Sequence, residues 1–408
     1  MKLVIYNNKS GYSTVLDAFL KTAQKEFEEI YVFFPRKVRI DDYSVYKNIK
    51  FFNCTVISFL ISFFESTLQI FTKDTICDLK TALRKKKFCI NYVKIYFIQL
   101  FKANALFRES KKIVKKQHKE GVSLFSTWYA ENAIAAAKMK KIYPEIYAAS
   151  YAHSYEIDFR KNNYVGLLRD RFKERYLDKI CFISKNVMEE YKLLNSDILK
   201  RTDKYEAMHF GSKKMYRGFA KASDDGIFRI LTCSGISAVK RLDLLISALK
   251  QYKGEQKICW THLGTGPDEE KVKKLVEDLQ KNIQVCFKGK VSHQDVHKYY
   301  IENFVDLFVN ISSSEGLPVS IMEAMSYSVP VLATDVGGNS EIVTDETGYL
   351  VNANIQPEDL VEIIENIVGN KSELIQKKSA AYKMWKTEYQ IEPNVEKMIR
   401  ILDNDYKK

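Results

Sequence analysis

Apolar residues in the second half of the chain come in short, closed runs: FRILTCSG (228–235), KICWTHLG (257–264), IQVCFKG (283–289), VDLFVNIS (305–312) and PVLATDVG (330–337). Each is rich in β-branched or aromatic residues and ends on a turn-forming residue, the signature of a buried strand. Between them RLDLLISALKQY, DEEKVKKLVEDLQ and SHQDVHKYYIEN carry the helical period. Strand, helix and strand at this spacing predict parallel βαβ units with right-handed crossovers, hence a doubly wound sheet. In such sheets ligands sit beyond the carboxyl ends of the strands.

The first half follows the same plan more loosely. KLVIYNN (2–8) leads to a helix near 12–27 and then to IYVFFP (30–35). VSLFSTWYA (122–130), EIYAASYAHS (145–154) and DKICFISK (178–185) alternate with helical stretches. Residues of roughly 40–118 read as an inserted helical region rich in Lys and Phe. The polar, aperiodic GSKKMYRGFAKASDDG marks a domain boundary near 212–226. The expectation is an α/β protein of two Rossmann-like lobes facing a cleft. The first spans 1–215 and the second 216–384.

A length of 408 residues suits two domains. Seven scattered cysteines, odd in number and without a CxxC pair, argue against a disulfide framework or a zinc site and for a reducing compartment. The N-terminal MKLVIYNN lacks the apolar core of a secretory signal and reads as a first strand. The most apolar window, FFNCTVISFLISFF (51–64), is too short to span a bilayer, so no transmembrane helix is expected. The net charge of +13 is uneven: residues 1–200 carry 36 Lys and Arg against 21 Asp and Glu, and the remainder 28 against 30. Basic runs such as RKKK (84–87) and KKIVKKQHK (111–119) lie beside Phe-rich ones. This points to an anionic surface, with membrane headgroups favoured. Nucleic acid is disfavoured, because no zinc-finger, RNP or helix-turn-helix pattern accompanies the charge.

The chemistry concentrates in EGLPVSIME (315–323). After the strand VDLFVNIS the chain turns at SSEG, and Pro318 suits the first turn of a helix running from about Val319 to Tyr327. The free N–H groups of that helix face the strand ends, a ready anion site. Glu315 lies on one side of it and Glu323 about one turn inside the helix, and each carboxylate can hold a pair of neighbouring hydroxyls. One acid for each sugar of a nucleotide-sugar, with the pyrophosphate between, accounts for the spacing. Lys240 and Arg241, adjacent cations after another strand, can neutralise a diphosphate leaving group without a metal. LGTGPDEE (263–270) and TDVGGNSEIV (334–343) place glycines at strand ends, where backbone must pass close to a ligand. DND (403–405) lies in a polar tail and is not read as a metal motif, so neither a metal nor a cofactor is expected.

These residues resemble glycosyltransferase family 4, retaining enzymes of the two-lobed GT-B fold, densely over about 228–351 and sparsely in the N-terminal lobe. The match rests on Glu315 and Glu323 as the E-x7-E pair, on AMSYSVPVLATDVGGNSEIV after it, and on Gly264 to Pro267 as Gly-x-Gly-Pro, which includes Gly266. The resemblance implies that Glu315 contacts donor-sugar hydroxyls, Glu323 the ribose, and the backbone N–H groups of Gly316 and Leu317 the donor. It places Lys240 on the phosphate lysine. The family's arginine five residues earlier is replaced by Gly235, and Arg241 is the candidate to compensate. YAHSYEIDF (151–159) resembles the active-site histidine segment, which makes His153 the residue beside the anomeric carbon. NNKSGYS would approach the donor or acceptor through Gly11, where the family often has two glycines, and the terminal MWKTEYQIEPNVEKMIRIL resembles the family's closing helix, implying that about 385–408 return to the first lobe.

The implied activity is metal-independent transfer, with retention, of a sugar from a nucleotide-sugar. UDP is the favoured nucleotide, and the acceptor is a hydroxyl of a lipid-linked or cell-surface glycan precursor. The protein is expected in the cytoplasm, peripheral on the inner face of the cell membrane. The competing reading is a non-catalytic relative that binds acceptor or stabilises a partner transferase; the glycine at 235 favours it, and the acid pair and His153 oppose it.

Overall fold

The computed structural model describes residues 1–8, 14–35, 46–84, 90–157, 169–199, 201 and 203–404. The chain divides into two units, Met1–His209 with Glu392–Lys408 and Phe210–Ile391.

The first unit is built on seven strands: β1 (Lys2–Tyr6), β2 (Glu29–Phe34), β3 (Ile49–Asn53), β4 (Val122–Ser126), β5 (Tyr147–Ala152), β6 (Lys179–Phe182) and β7 (Tyr205–Ala207). They form one parallel sheet in the order β3-β2-β1-β4-β5-β6-β7. The central strands β4 and β5 are buried along their whole length, and β1, β2 and β6 at every residue but the first, as a sheet covered by helices on both faces requires. The order reverses between β1 and β4, which pair in register from Lys2 with Val122 to Tyr6 with Ser126. The alanine-rich helix Glu131–Ile142 packs into the main core with Val4, Leu124 and Ile180. The helix Ile391–Asn404 joins this unit through Ser123 Oγ, which donates to Leu402 O at 2.7 Å.

The second unit carries β8 (Ile227–Cys233), β9 (Lys257–Leu263), β10 (Ile283–Phe287), β11 (Leu307–Asn310), β12 (Val331–Thr334) and β13 (Gly348–Val351). These are again parallel, in the order β10-β9-β8-β11-β12-β13. The reversal lies between β8 and β11, where Leu307 pairs with Ile230. Trp260 is fully buried, and its indole N–H donates to Thr232 Oγ1 at 2.9 Å, so the largest core side chain carries no unsatisfied donor.

Within the region read as a helical insertion, residues 49–53 form the edge strand β3 instead, and the apolar window 51–64 is split. Thr55 caps a new helix, Val56–Gln69, by accepting from Ser58 N. This helix is turned inside out: Ser58, Ser62 and Ser66 are buried, whereas Val56, Ile57, Leu60, Phe64 and Leu68 are exposed. The serine stripe faces the long helix Ile90–Gln117, where Asn104 Nδ2 donates to Ser66 Oγ at 2.8 Å and Glu109 accepts from Thr55 Oγ1 at 2.6 Å. Ordinary amphipathic packing would place these faces the other way round. Among the described residues no single helix is long and apolar enough to cross a membrane; Val56–Gln69 and Lys73–Leu83, bent by 67°, satisfy length and composition only as a pair.

Candidate functional site

The second unit gathers the predicted chemistry at its topological switch point. β8 ends at Cys233, and the chain continues through Ser234–Ser237 into a single 3-10 turn, Ala238–Lys240. β11 ends at Asn310, and residues 311–318 lead to the helix Val319–Ser326, with Pro318 at its N-cap. The two loops meet: Lys240 Nζ lies 2.6 Å from Glu315 Oε1, and Asn310 Nδ2 donates to the same oxygen at 3.3 Å. Their backbones are also joined, Ser313 N donating to Val239 O at 2.8 Å. Cys233, Ser234, Lys240, Asn310 and Ser312 line a small pocket at these strand ends. Burial pushes the Cys233 thiol up to about 12, with the Glu323 carboxylate adding to the effect, so the sulfur stays protonated.

Glu315 and Gly316 are held from behind by the loop after β12. Gly338 N donates to Gly316 O at 2.6 Å. Gly337 has φ +58°, and a Cβ there would lie 2.0 Å from Glu315 O, so only glycine fits. Leu317 is buried, which anchors the turn before the helix.

Arg241 has a left-handed backbone conformation, φ 47°, and starts the helix Leu242–Leu249. Its Nε donates to Ile311 O and its Nη1 to Ala353 O, each at 2.8 Å. Nε thus braces the loop after β11 and Nη1 the segment after β13, which fixes the position of the guanidinium. The glycines of LGTGPDEE do make close approaches, to the neighbouring loop. A Cβ on Gly266 would lie 2.0 Å from Ile236 O, and Gly264 would meet Ser234 O at 1.9 Å. These contacts, with Ile236 N donating to Thr265 O at 3.1 Å, set the position of the segment that carries Lys240.

Glu323 sits one turn into its helix and is 4% exposed. Its Oε1 is hydrogen-bonded to His293 Nε2 and lies 3.5 Å from His297 Nε2. Its Oε2 makes no hydrogen bond to a described residue. Burial would raise the Glu323 carboxyl, but hydrogen bonds from the two histidines outweigh it and hold the group below its usual range. Glu323 in turn raises His293 above the ordinary histidine value, against burial. Sequence reasoning missed both histidines; the signal was present as H-x3-H within SHQDVHKYYIEN, a spacing that puts them on one helix face.

In the first unit His153 follows β5 directly and precedes the short helix Ser154–Ile157. Its ring lies against Trp128, with centroids 4.5 Å apart, and edge-on to Tyr151 at 5.0 Å. Glu156 reaches back to accept from His153 N at 3.1 Å; burial pushes this carboxyl up to about 8. Gly11 and Lys85–Lys87 lie outside the described residues.

Residues 219–384 match the family model of glycosyl transferases group 1. Among curated relatives, the poly(glycerol-phosphate) alpha-glucosyltransferase of Bacillus subtilis is 26% identical over 257 residues, covering 60% of this chain and 36% of that protein. The chain spans about a third of the length of the first curated relatives it matches. Of solved structures, the lipopolysaccharide outer core galactosyltransferase WaaB superposes with a TM-score of 0.71 at 16% identity, covering 99% of this chain and 100% of that one. Anabaena HepE in complex with UDP gives 0.68 at 14%, with the same coverage. These likenesses establish the fold as GT-B.

Proposed function

For a chain whose residues 219–384 are a glycosyl transferases group 1 domain on a GT-B fold, we propose retaining transfer of a sugar from a UDP-sugar to a hydroxyl of a lipid-linked or cell-surface glycan precursor. The observation that carries the reading is the meeting of Lys240 and Glu315, 2.6 Å apart, at the carboxyl ends of β8 and β11 and beside the start of the helix Val319–Ser326. In this reading the diphosphate takes the helix N-terminus and the Lys240 ammonium, with Arg241 adding charge, and no metal lies between protein and phosphate. Lys240 then turns from Glu315 to phosphate, and Glu315, released, accepts from donor-sugar hydroxyls. Glu323 keeps Oε1 on the histidines and offers Oε2 to the ribose. The N–H groups of Gly316 and Leu317 bind the donor, Gly266 keeps the Lys240 loop in place, and His153 serves the reacting sugar.

With Glu315 committed to hydroxyls, the acceptor oxygen attacks on the face from which the nucleoside diphosphate departs. A phosphate oxygen takes the acceptor proton, the C1–O bond to phosphate breaks as the new C1–O bond forms, and configuration is kept. The exposed face of Val56–Gln69, together with Phe71 and the basic charge of the first unit, supports a peripheral position on the inner face of an anionic membrane, where a lipid-linked acceptor would be met.

The experiment is a thermal-shift screen across UDP-, GDP-, ADP- and CDP-sugars, followed by NMR of the product anomer. Stabilisation by a UDP-sugar and a retained configuration are expected. Indifference to every nucleotide would overturn the donor reading, and net inversion would overturn the mechanism.

A further inference from the structure

The group His293, His297 and Glu323 has a geometry beyond that of a hydrogen-bonded cluster. His293 and His297 stand four residues apart on the helix His293–Glu302, so both rings leave the same face. Glu323 comes to them from the helix Val319–Ser326. The three ligand atoms, two Nε2 and one Oε1, all lie within 4.8 Å of one another. His293 Nε2 is 3.3 Å from His297 Nε2, and His297 Nε2 is 3.5 Å from Glu323 Oε1. Metal–ligand bonds of ~2.0–2.1 Å in a tetrahedron give edges of about 3.3–3.4 Å, so two edges already have the right length. The third, between His293 and Glu323, is a hydrogen bond whose shared proton a cation would replace.

The surroundings suit a cation rather than a proton relay alone. His297 is fully buried, and its Nδ1 lies 3.0 Å from Tyr327 Oη, a partner that can fix the ring with Nε2 facing the centre. Tyr327 Oη also accepts from Tyr216 N at 3.2 Å, so the phenol is itself held in place. His293 sits on the exposed side, next to the Ser292 cap, and leaves a fourth position open to solvent. Two imidazoles and one carboxylate select a first-row divalent ion of the zinc class over magnesium or calcium, which require oxygen ligands.

We propose that His293, His297 and Glu323 form a zinc site in the second unit, with one coordination position open. The inference rests on the His–His–Glu geometry and not on the donor reading, which uses the other oxygen of Glu323.

The test is calorimetric titration of the full, chelator-stripped chain with Zn2+, and optical titration with Co2+ as a coloured probe. One Zn2+ per chain is expected, with the visible absorption of a four-coordinate N/O site for Co2+ and no uptake of Mg2+ there. Because even outer partners of a metal ligand are worth about 10–100-fold in affinity, losing a ligand in His293→Ala or His293→Gln should weaken Zn2+ binding by at least ~100-fold. Glu323→Gln should weaken it as well, and His118→Ala, in the other unit, should leave it unchanged. The His293 ring is on the surface, so circular dichroism should show both His293 variants folded. Absence of stoichiometric uptake, or uptake undiminished in the two His293 variants, overturns the site.

Discussion

Exchanging Phe64 and Phe71 together for alanine tests the inside-out helix as a membrane contact. Phe64 is 67% exposed and Phe71 81%, so neither contributes much to the core. Moving the part of a Phe side chain beyond Cβ fully out of water is worth about 2 kcal/mol. Scaled by those exposures, the pair contributes about 3 kcal/mol to partitioning, or roughly a hundredfold in the binding constant. The assay is sedimentation with vesicles of phosphatidylglycerol and phosphatidylcholine at fixed salt, with thermal melts alongside. Wild type should bind, and the double variant should bind about a hundredfold more weakly. Their melting free energies should agree within about 0.5 kcal/mol, since both positions face solvent. Raised salt should weaken both by screening the basic residues. Wild type that ignores the vesicles, or a double variant that binds as well as wild type, would refute the reasoning.

Three further outcomes follow from the site geometry. Glu315→Gln removes the charge from the pair with Lys240, whose side chains are 26% and 10% exposed, while leaving an oxygen that can still accept from the ammonium, so stability should fall by about 1–3 kcal/mol. Transfer, measured as kcat/KM with the donor found in the screen, should fall by about 10²–10³-fold; wild-type rates would discount the proposed role. Gly266→Ala forces a Cβ to within 2.0 Å of Ile236 O, and should cost at least ~2 kcal/mol with a lowered melting temperature, whereas an unchanged melt would contradict the close approach. Glu156 has a carboxyl raised to about 8 from 4.5, so the folded state holds its proton more tightly than the unfolded one. The resulting stability is complete below about pH 4.5 and is lost as pH rises through 8; urea midpoints should fall across that window in wild type and fall less in Glu156→Gln, and equal slopes would rule the effect out.

Strand-by-strand reading worked where short apolar runs alternate with helical periods, which covers β8 to β12 and most of the first sheet. It passed over β3, because Phe51 and Phe52 run into the apolar helix that Thr55 starts, and a sequence window cannot see the break. β7 and β13 have only three and four residues and lack a distinct period. The helix Val56–Gln69 was legible as apolar but not as inverted, since its serine stripe gains meaning only from Asn104 and Glu109 on a distant helix. The spacing of Glu315 and Glu323 was readable. That Lys240 reaches Glu315 was not, because it depends on the reversal of strand order that places β8 beside β11. Gly264 and Gly266 signalled tight approach correctly, but whether the near neighbour is a ligand or Ile236 is decided by loop packing alone. The histidines at 293 and 297 were visible as a spacing and became a cluster only when the fold brought Glu323 to them.

Hydrogen–deuterium exchange of the full chain, with and without saturating UDP, tests the central claim most directly. Seating of the diphosphate at the β8 and β11 ends predicts slowed exchange in residues 234–241 and 311–319, with little change on the opposite edge of that sheet. Protection confined to other segments, or none at saturating UDP, would contradict the account.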